Sequence, residues 1–289
     1  MKPMHESVQI PATLAEYHAL CAARAALRAA RPSPDTIADI RSETRFFEPI
    51  QNADPVASVR RFSMDATPGR PDITVFQPRD TSSLAAGCVL FIHGGGWVTG
   101  SVNQYGTLIA RLAQRGLTIA AVHYRLAPEH PFPAALEDCL AAAAALHERF
   151  GTLTICGDSA GANLGAAVAA EMPSAFGRAA WLYGVFDLAR LPPDPVLSLM
   201  ADSYAGPADR AHPRLSPLQS ADRQPTTLLV APSEDPLRPQ STRMAAALVA
   251  AGVGVVLDVV PDVSHGFLQC ELFEASIPAI DRIAAWLRP

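Results

Sequence analysis

The stretch TLTICGDSAGANLGAAVAAE, Thr152 to Glu171, decides the fold. It opens with an apolar, β-prone run, Thr152–Cys156, passes through Gly157-Asp158-Ser159-Ala160-Gly161, and continues as a helical run of small residues, Ala160–Glu171. A short strand without polar alternation is buried on both faces, as in a parallel sheet. A sharp strand-to-helix turn bearing one serine needs small residues on either side, because strand and helix come close together there. The helix N-terminus adds positive partial charge beside Ser159, which favours developing negative charge. Ser159 is therefore the candidate nucleophile, and the flanking strand and helix set the turn apart from a glycine-rich loop that only packs.

The same alternation extends outward. Further β-rich runs lie at 57–63, 73–77, 88–93, 117–123, 179–184, 226–231 and 255–260, and helical stretches at 104–115, 134–150, 241–251 and 272–287. Apolar strands alternating with helices predict a mostly parallel sheet flanked by helices on both faces. The first two runs lack a helix between them and carry a turn at Thr67–Gly69, which predicts an antiparallel hairpin at one edge. Two segments fall outside the alternation: an N-terminal helical segment, 1–55, and a Pro-rich segment, 187–224, with a helical piece near Val196–Tyr204. Both are expected to form a small helical cap, 187–224 as an insertion in a catalytic domain spanning 56–289. Such insertions sit beyond the carboxyl ends of the strands.

Composition narrows the function. The chain has 289 residues, 49% hydrophobic and 18% charged, enough to bury a large core. Lys2 is the sole lysine, which excludes a Walker lysine, an internal Schiff-base lysine and a Ser-Lys dyad. A net charge of -5 without a basic block points away from nucleic acid. The five cysteines, Cys21, Cys88, Cys139, Cys156 and Cys270, are odd in number and form no C-x-x-C, so neither a disulfide framework nor a cysteine-rich zinc site is expected. A cytoplasmic location follows as the expectation. The N-terminal stretch lacks the apolar core of a signal peptide, and the longest apolar run, Met244–Leu257, is too short for a membrane span.

The second chemical signal is His93-Gly94-Gly95-Gly96-Trp97, directly after a strand. Backbone N–H groups of Gly94, Gly95 and Gly96 can approach a substrate closely and, with the N–H of Ala160, form an oxyanion hole. His93 is expected to be structural. Of the eight histidines only His265 lies between the last strand and the last helix, where a general base belongs. The acid is expected after the strand 226–231, where Glu234 and Asp235 are adjacent. Asp235 is preferred, because it opens Asp-Pro-Leu, and it would hold the imidazole tautomer. Trp97, Asp158, Tyr183 and Phe186 are expected to wall the substrate pocket, with Phe46 and Phe47 as candidates to extend it.

Taken together, HGGGW (93–97), YRLAPEHPFPAALEDC (124–139), GDSAGANL (157–164), EDPL (234–237) and HGF (265–267) resemble the hormone-sensitive-lipase-like family of microbial esterases, from about residue 57 to the end. The resemblance implies an α/β-hydrolase fold with a mostly parallel eight-stranded sheet and a helical cap, a Ser159-Asp235-His265 triad, and an oxyanion hole mainly from Gly95, Gly96 and Ala160. It implies neither a metal nor an organic cofactor. Two departures lie near the mouth of the implied site: Arg238-Pro239-Gln240, where the family usually has acidic residues, and Gly184, where it often has proline. The 124–139 stretch reads as structural. The expected activity is a serine carboxylesterase acting on small-molecule, short-acyl esters, roughly acetyl to hexanoyl, with no interfacial activation. Alternatives using the same triad are an amidase, a deformylase or a biosynthetic deacetylase; a non-catalytic ligand receptor is the distant one. A homodimer is a possible assembly.

Overall fold

The computed structural model describes residues 13–29, 36–46, 58–64, 71–79 and 87–288. Eight strands form one sheet: β1 (Val59–Ser63), β2 (Ile73–Pro78), β3 (Cys88–Ile92), β4 (Thr118–Val122), β5 (Leu153–Asp158), β6 (Phe176–Leu182), β7 (Thr226–Pro232) and β8 (Val255–Val260). Their spatial order is β1-β2-β4-β3-β5-β6-β7-β8. Strands β3 to β8 run parallel, whereas β2 is antiparallel to both β1 and β4. The expected edge hairpin is thus present, although its turn at Thr67–Gly69 lies outside the described residues.

The period of two along the strands sorts side chains into two cores. Leu90, Ile92, Ile155, Trp181 and Leu229 face one core, with helices α4 (Ala134–Phe150), α5 (Ala160–Glu171) and α7 (Arg238–Ala250). Val89, Phe91, Cys156, Leu182 and Val230 face the other, with α3 (Gly106–Ala113) and α8 (Ser276–Leu287). Burial on both faces is why these strands read as continuous apolar runs.

Boundaries shift where a local interaction outweighs propensity. Helix α8 starts at Ser276 rather than Leu272, because the buried Ser276 hydroxyl donates to the carbonyls of Phe267 (2.8 Å) and Cys270 (2.9 Å) and shapes a turn there. Helix α7 starts at Arg238 rather than Ser241, since Pro239 is tolerated in a first turn that needs no backbone donor. Strand β6 begins at Phe176 and ends at Leu182, before Tyr183 turns to φ 41°.

Helices α1 (Leu14–Ala29) and α2 (Ile37–Phe46) form the described part of the N-terminal segment. A reciprocal Thr36–Asp39 capping pair starts α2. Arg41 ties α2 to the body of the protein, donating to the carbonyls of Val98 (2.8 Å) and Ala127 (2.9 Å) and bidentately to Glu129. Helix α6 (Pro195–Ala205) lies within the 187–224 segment, with the Asp194 carboxylate accepting from Leu197 N (2.8 Å) as its N-cap. Among the described residues no helix is long and apolar enough to cross a membrane.

Candidate active site

Ser159 sits between β5 and α5 at φ 51°, ψ −117°, a backbone conformation that costs on the order of 1–3 kcal/mol. The turn closes because Gly161 lacks a side chain: a Cβ there would lie 2.1 Å from the carbonyl oxygen of Ile92. The turn is held by Ser159 N donating to Leu182 O at 2.8 Å. The hydroxyl therefore stands clear of the sheet at its carboxyl edge, over the N-terminus of α5.

His265 Nε2 lies 2.9 Å from Ser159 Oγ, and His265 Nδ1 lies 2.7 Å from Asp235 Oδ2. The second oxygen of this buried carboxylate accepts from Leu237 N at 2.8 Å, which fixes the carboxylate plane. Glu234 points to solvent, and only its backbone is engaged, donating to Val263 O. The ring of Tyr183 meets His265 edge to face at 4.9 Å and backs the imidazole.

The glycine loop follows β3. Gly95 adopts φ 114°, and a Cβ there would meet the Thr99 carbonyl at 2.2 Å, so only glycine fits. Gly96 and Trp97 follow at φ 58° and 63°. His93 is buried beneath this loop, stacked on Tyr124 at 4.3 Å, with Nδ1 2.8 Å from Gly94 O. Burial lowers its pKa to about 4, so the ring stays neutral and structural.

A cavity of about 390 Å³ opens onto Ser159 and His265. Gly95, Gly96 and Thr99 line its floor, with Tyr105 and Gln269 beside them. Pro192, Asp194, Val196, Leu197 and Met200 line it from α6 and the residues just before that helix, and Pro236 and Leu237 from the loop before α7. Met200 lies directly over Gly96, its sulfur 2.2 Å from where a Cβ on that glycine would stand.

None of the four residues expected to wall the pocket lines this cavity. Trp97, at φ 63°, is fully buried and stacks in parallel on Tyr204 of α6 at 4.9 Å. Phe186 is buried in the same core. Tyr183 lies behind His265. Asp158 is fully buried below the elbow, where Gln269 Nε2 donates to it at 3.2 Å and to the Tyr105 hydroxyl at 2.9 Å. Burial outweighs the nearby His265 and raises the Asp158 pKa to about 6. Phe47 and the side chain of Phe46 lie outside the described residues. The wall residues carry one sequence signal: Asp194-Pro195 starts a helix whose Val196, Leu197 and Met200 share a face by their spacing of three and four. Among the described residues, no group of three or more His, Cys, Asp or Glu side chains is arranged to hold a metal ion.

The profile of a family described as alpha/beta hydrolase fold matches residues 89–269. The chain is 35% identical over 221 residues to an ethyl acetate hydrolase of Pseudomonas putida, covering 66% of this chain and 69% of that enzyme. A hyperthermophilic esterase from the archaeon Pyrobaculum calidifontis superposes with a TM-score of 0.83 at 27% identity, over 96% of this chain and 98% of that one. A hormone-sensitive lipase from a metagenome library gives a TM-score of 0.77 at 28% identity, over 93% and 97%.

Proposed function

The chain belongs to the alpha/beta hydrolase fold family, among its hormone-sensitive-lipase-like members, and on that premise we propose that it cleaves short-acyl carboxylic esters through Ser159, His265 and Asp235. The observation that carries this reading is the unbroken hydrogen-bonded line from Ser159 Oγ through both ring nitrogens of His265 to the buried Asp235.

Ser159 Oγ attacks the ester carbonyl carbon as His265 Nε2 takes its proton. Asp235 holds the tautomer that leaves Nε2 free to accept, and stabilises the imidazolium that forms. Negative charge develops on the carbonyl oxygen, which the backbone N–H groups of Gly95, Gly96 and Ala160 receive, with Gly94 shaping the loop before them. The imidazolium returns its proton to the leaving alcohol, and an acyl-enzyme remains on Ser159. Water, deprotonated by His265, attacks that acyl group, the acyl bond to Ser159 Oγ breaks, and His265 returns the proton to Oγ as the acid leaves.

Short acyl selectivity follows from the cavity, which at about 390 Å³ lies near the lower end of ligand pockets, roughly 300–1,000 Å³. In this reading residues 1–55 and 187–224 cap a catalytic unit of 56–289, and small neutral esters are the partners. The five cysteines, all unbridged, fit a reducing cytoplasm. Strand β8, a sheet edge with Val256, Leu257 and Val259 exposed, fits pairing with a second copy.

The test is labelling by a serine-reactive organophosphate together with turnover of p-nitrophenyl esters from acetate to palmitate. Ser159→Ala is expected to abolish labelling and lower kcat by about 10⁴- to 10⁶-fold while leaving the fold intact. Normal turnover by Ser159→Ala would refute the mechanism. An optimum at dodecanoate or beyond, or a jump in rate on micelle formation, would refute the short-chain reading.

A further inference from the structure

The cap leaves the sheet after β6 through a short root, residues 183–190, before running into the wall segment that faces Ser159. The root begins with Tyr183 at φ 41° and passes Gly184, where a Cβ would stand 2.4 Å from the Phe186 ring and 2.8 Å from the Ala162 methyl. Asn163 Nδ2 donates to Val185 O (2.9 Å), Ser216 Oγ accepts from Leu188 N (2.8 Å) and an Arg243 nitrogen donates to Arg190 O (3.2 Å), but Gln240 makes the most bonds to the root. Gln240, 2% exposed in the first turn of α7, accepts through Oε1 from the backbone N–H groups of Phe186 (3.2 Å) and Asp187 (2.9 Å). Its Nε2 donates to the carbonyls of Asp187 (3.1 Å) and Arg190 (2.9 Å). Both amide hydrogens and both lone-pair directions of the oxygen are used. A carboxylate of the same shape could accept the first two bonds and make neither of the others. Helix α7 follows directly on Asp235-Pro236-Leu237, which carries the triad acid and the facing wall of the cavity. The amide thus ties the root that leads into one wall of the pocket to the helix that follows the other.

We propose that Gln240 is a positioning residue for substrate selectivity: by clamping residues 186–190 to the start of α7, it holds the apolar wall of Val196, Leu197 and Met200 at a set distance from Ser159 and so fixes the length of acyl chain the pocket favours. The inference rests on the ester-hydrolase reading above and names the determinant of its substrate class. An acetyl group is too short to depend on that wall. A longer chain gains about fourfold per CH₂ from burial against it, and loses that gain when the wall shifts.

The experiment compares the full-length wild type with Gln240→Glu and with Gln240→Met, which keeps the side-chain length and makes none of the four bonds. For each, kcat/KM is measured on p-nitrophenyl acetate and hexanoate and normalised to organophosphate-titrated serine, and amide hydrogen exchange is followed across the chain. The hexanoate-to-acetate ratio is expected to fall about tenfold, carried by KM, while acetate turnover stays within about threefold. Exchange is expected to accelerate in residues 186–205 and not in 153–171. Because the ratio compares two esters at one active centre, loss of folded protein cancels from it. An unchanged ratio with only a lower Tm would make Gln240 a structural residue and overturn the inference. Should Gln240→Glu not fold, Gln240→Met decides by the same ratio and exchange. If the wild type cleaves neither ester, the ester-hydrolase reading fails, and unchanged exchange in 186–205 separately overturns the clamp.

Discussion

Asp235 and Glu234 are neighbours of the same charge, yet only one is placed to serve His265. The chain alternates at this loop: Asp235 turns inward to accept from His265 Nδ1 and Leu237 N, and Glu234 faces water. Asp235→Asn is expected to lower kcat about 10⁴-fold by reversing the imidazole tautomer, whereas Glu234→Gln should stay within about twofold. Steady-state kinetics on p-nitrophenyl acetate checks both. Asp158 is a different kind of carboxylate. Its pKa rises from 3.8 to about 6 because burial disfavours the charged form. A carboxyl with a raised folded-state pKa contributes its full share below its unfolded pKa, and that share is lost as pH rises through the folded value. The Tm of wild type relative to Asp158→Asn should therefore fall between about pH 4 and pH 6 and level off above. Thermal melts at a series of pH values check the difference, and a flat difference curve would show that Asp158 is not held in this state.

At the scale of elements, the pocket is the gap between the glycine loop and helix α6. Met200 closes that gap over Gly96. Met200→Ala removes the side chain while leaving α6, its Asp194 cap and the Trp97–Tyr204 stack in place. The acyl-length optimum is expected to move up by about two carbons, each worth about 0.8 kcal/mol when buried, with acetate turnover little changed. An ester series on the purified variant checks this; an unchanged optimum would place the limiting contact elsewhere in the cap. The elements themselves were largely legible. Helices α4 and α5 fall at the residues read from the pattern, because their apolar and alanine-rich faces are set by spacing alone. Ends were less so: nothing local in 272–275 shows that the Ser276 hydroxyl will be spent on Phe267 and Cys270.

The whole molecule presents an open edge. Val256, Leu257 and Val259 on β8 are exposed, as is Val249 on the adjoining α7, although apolar strand edges are usually blunted. Pairing of β8 with its counterpart in a second copy would cover this surface in an isologous contact. Wild type is accordingly expected to be a dimer by light scattering, and Val259→Lys a monomer that keeps its turnover of p-nitrophenyl acetate. A monomeric wild type would remove this interpretation of the edge.

What the sequence determined on its own was the set of elements and the residues they bring together. Apolar runs, helical spacing and the small residues around Ser159 are local properties, and they act wherever the chain places them. That is why Ser159, Asp235 and His265 could be named as a group from order and context, and why they meet within hydrogen-bonding distance. Only the tertiary structure decided which side chains line the pocket. Trp97, Tyr183 and Phe186 looked suited to it by size and position, but a buried aromatic gains more from packing under the cap than from facing a cavity. The lining falls instead to Val196, Leu197 and Met200, because the path of the cap is set by contacts between distant segments. Gln240 on Asp187 and Arg190, and Arg41 on Val98, are contacts of that kind, and no local pattern encodes which partners such side chains will reach.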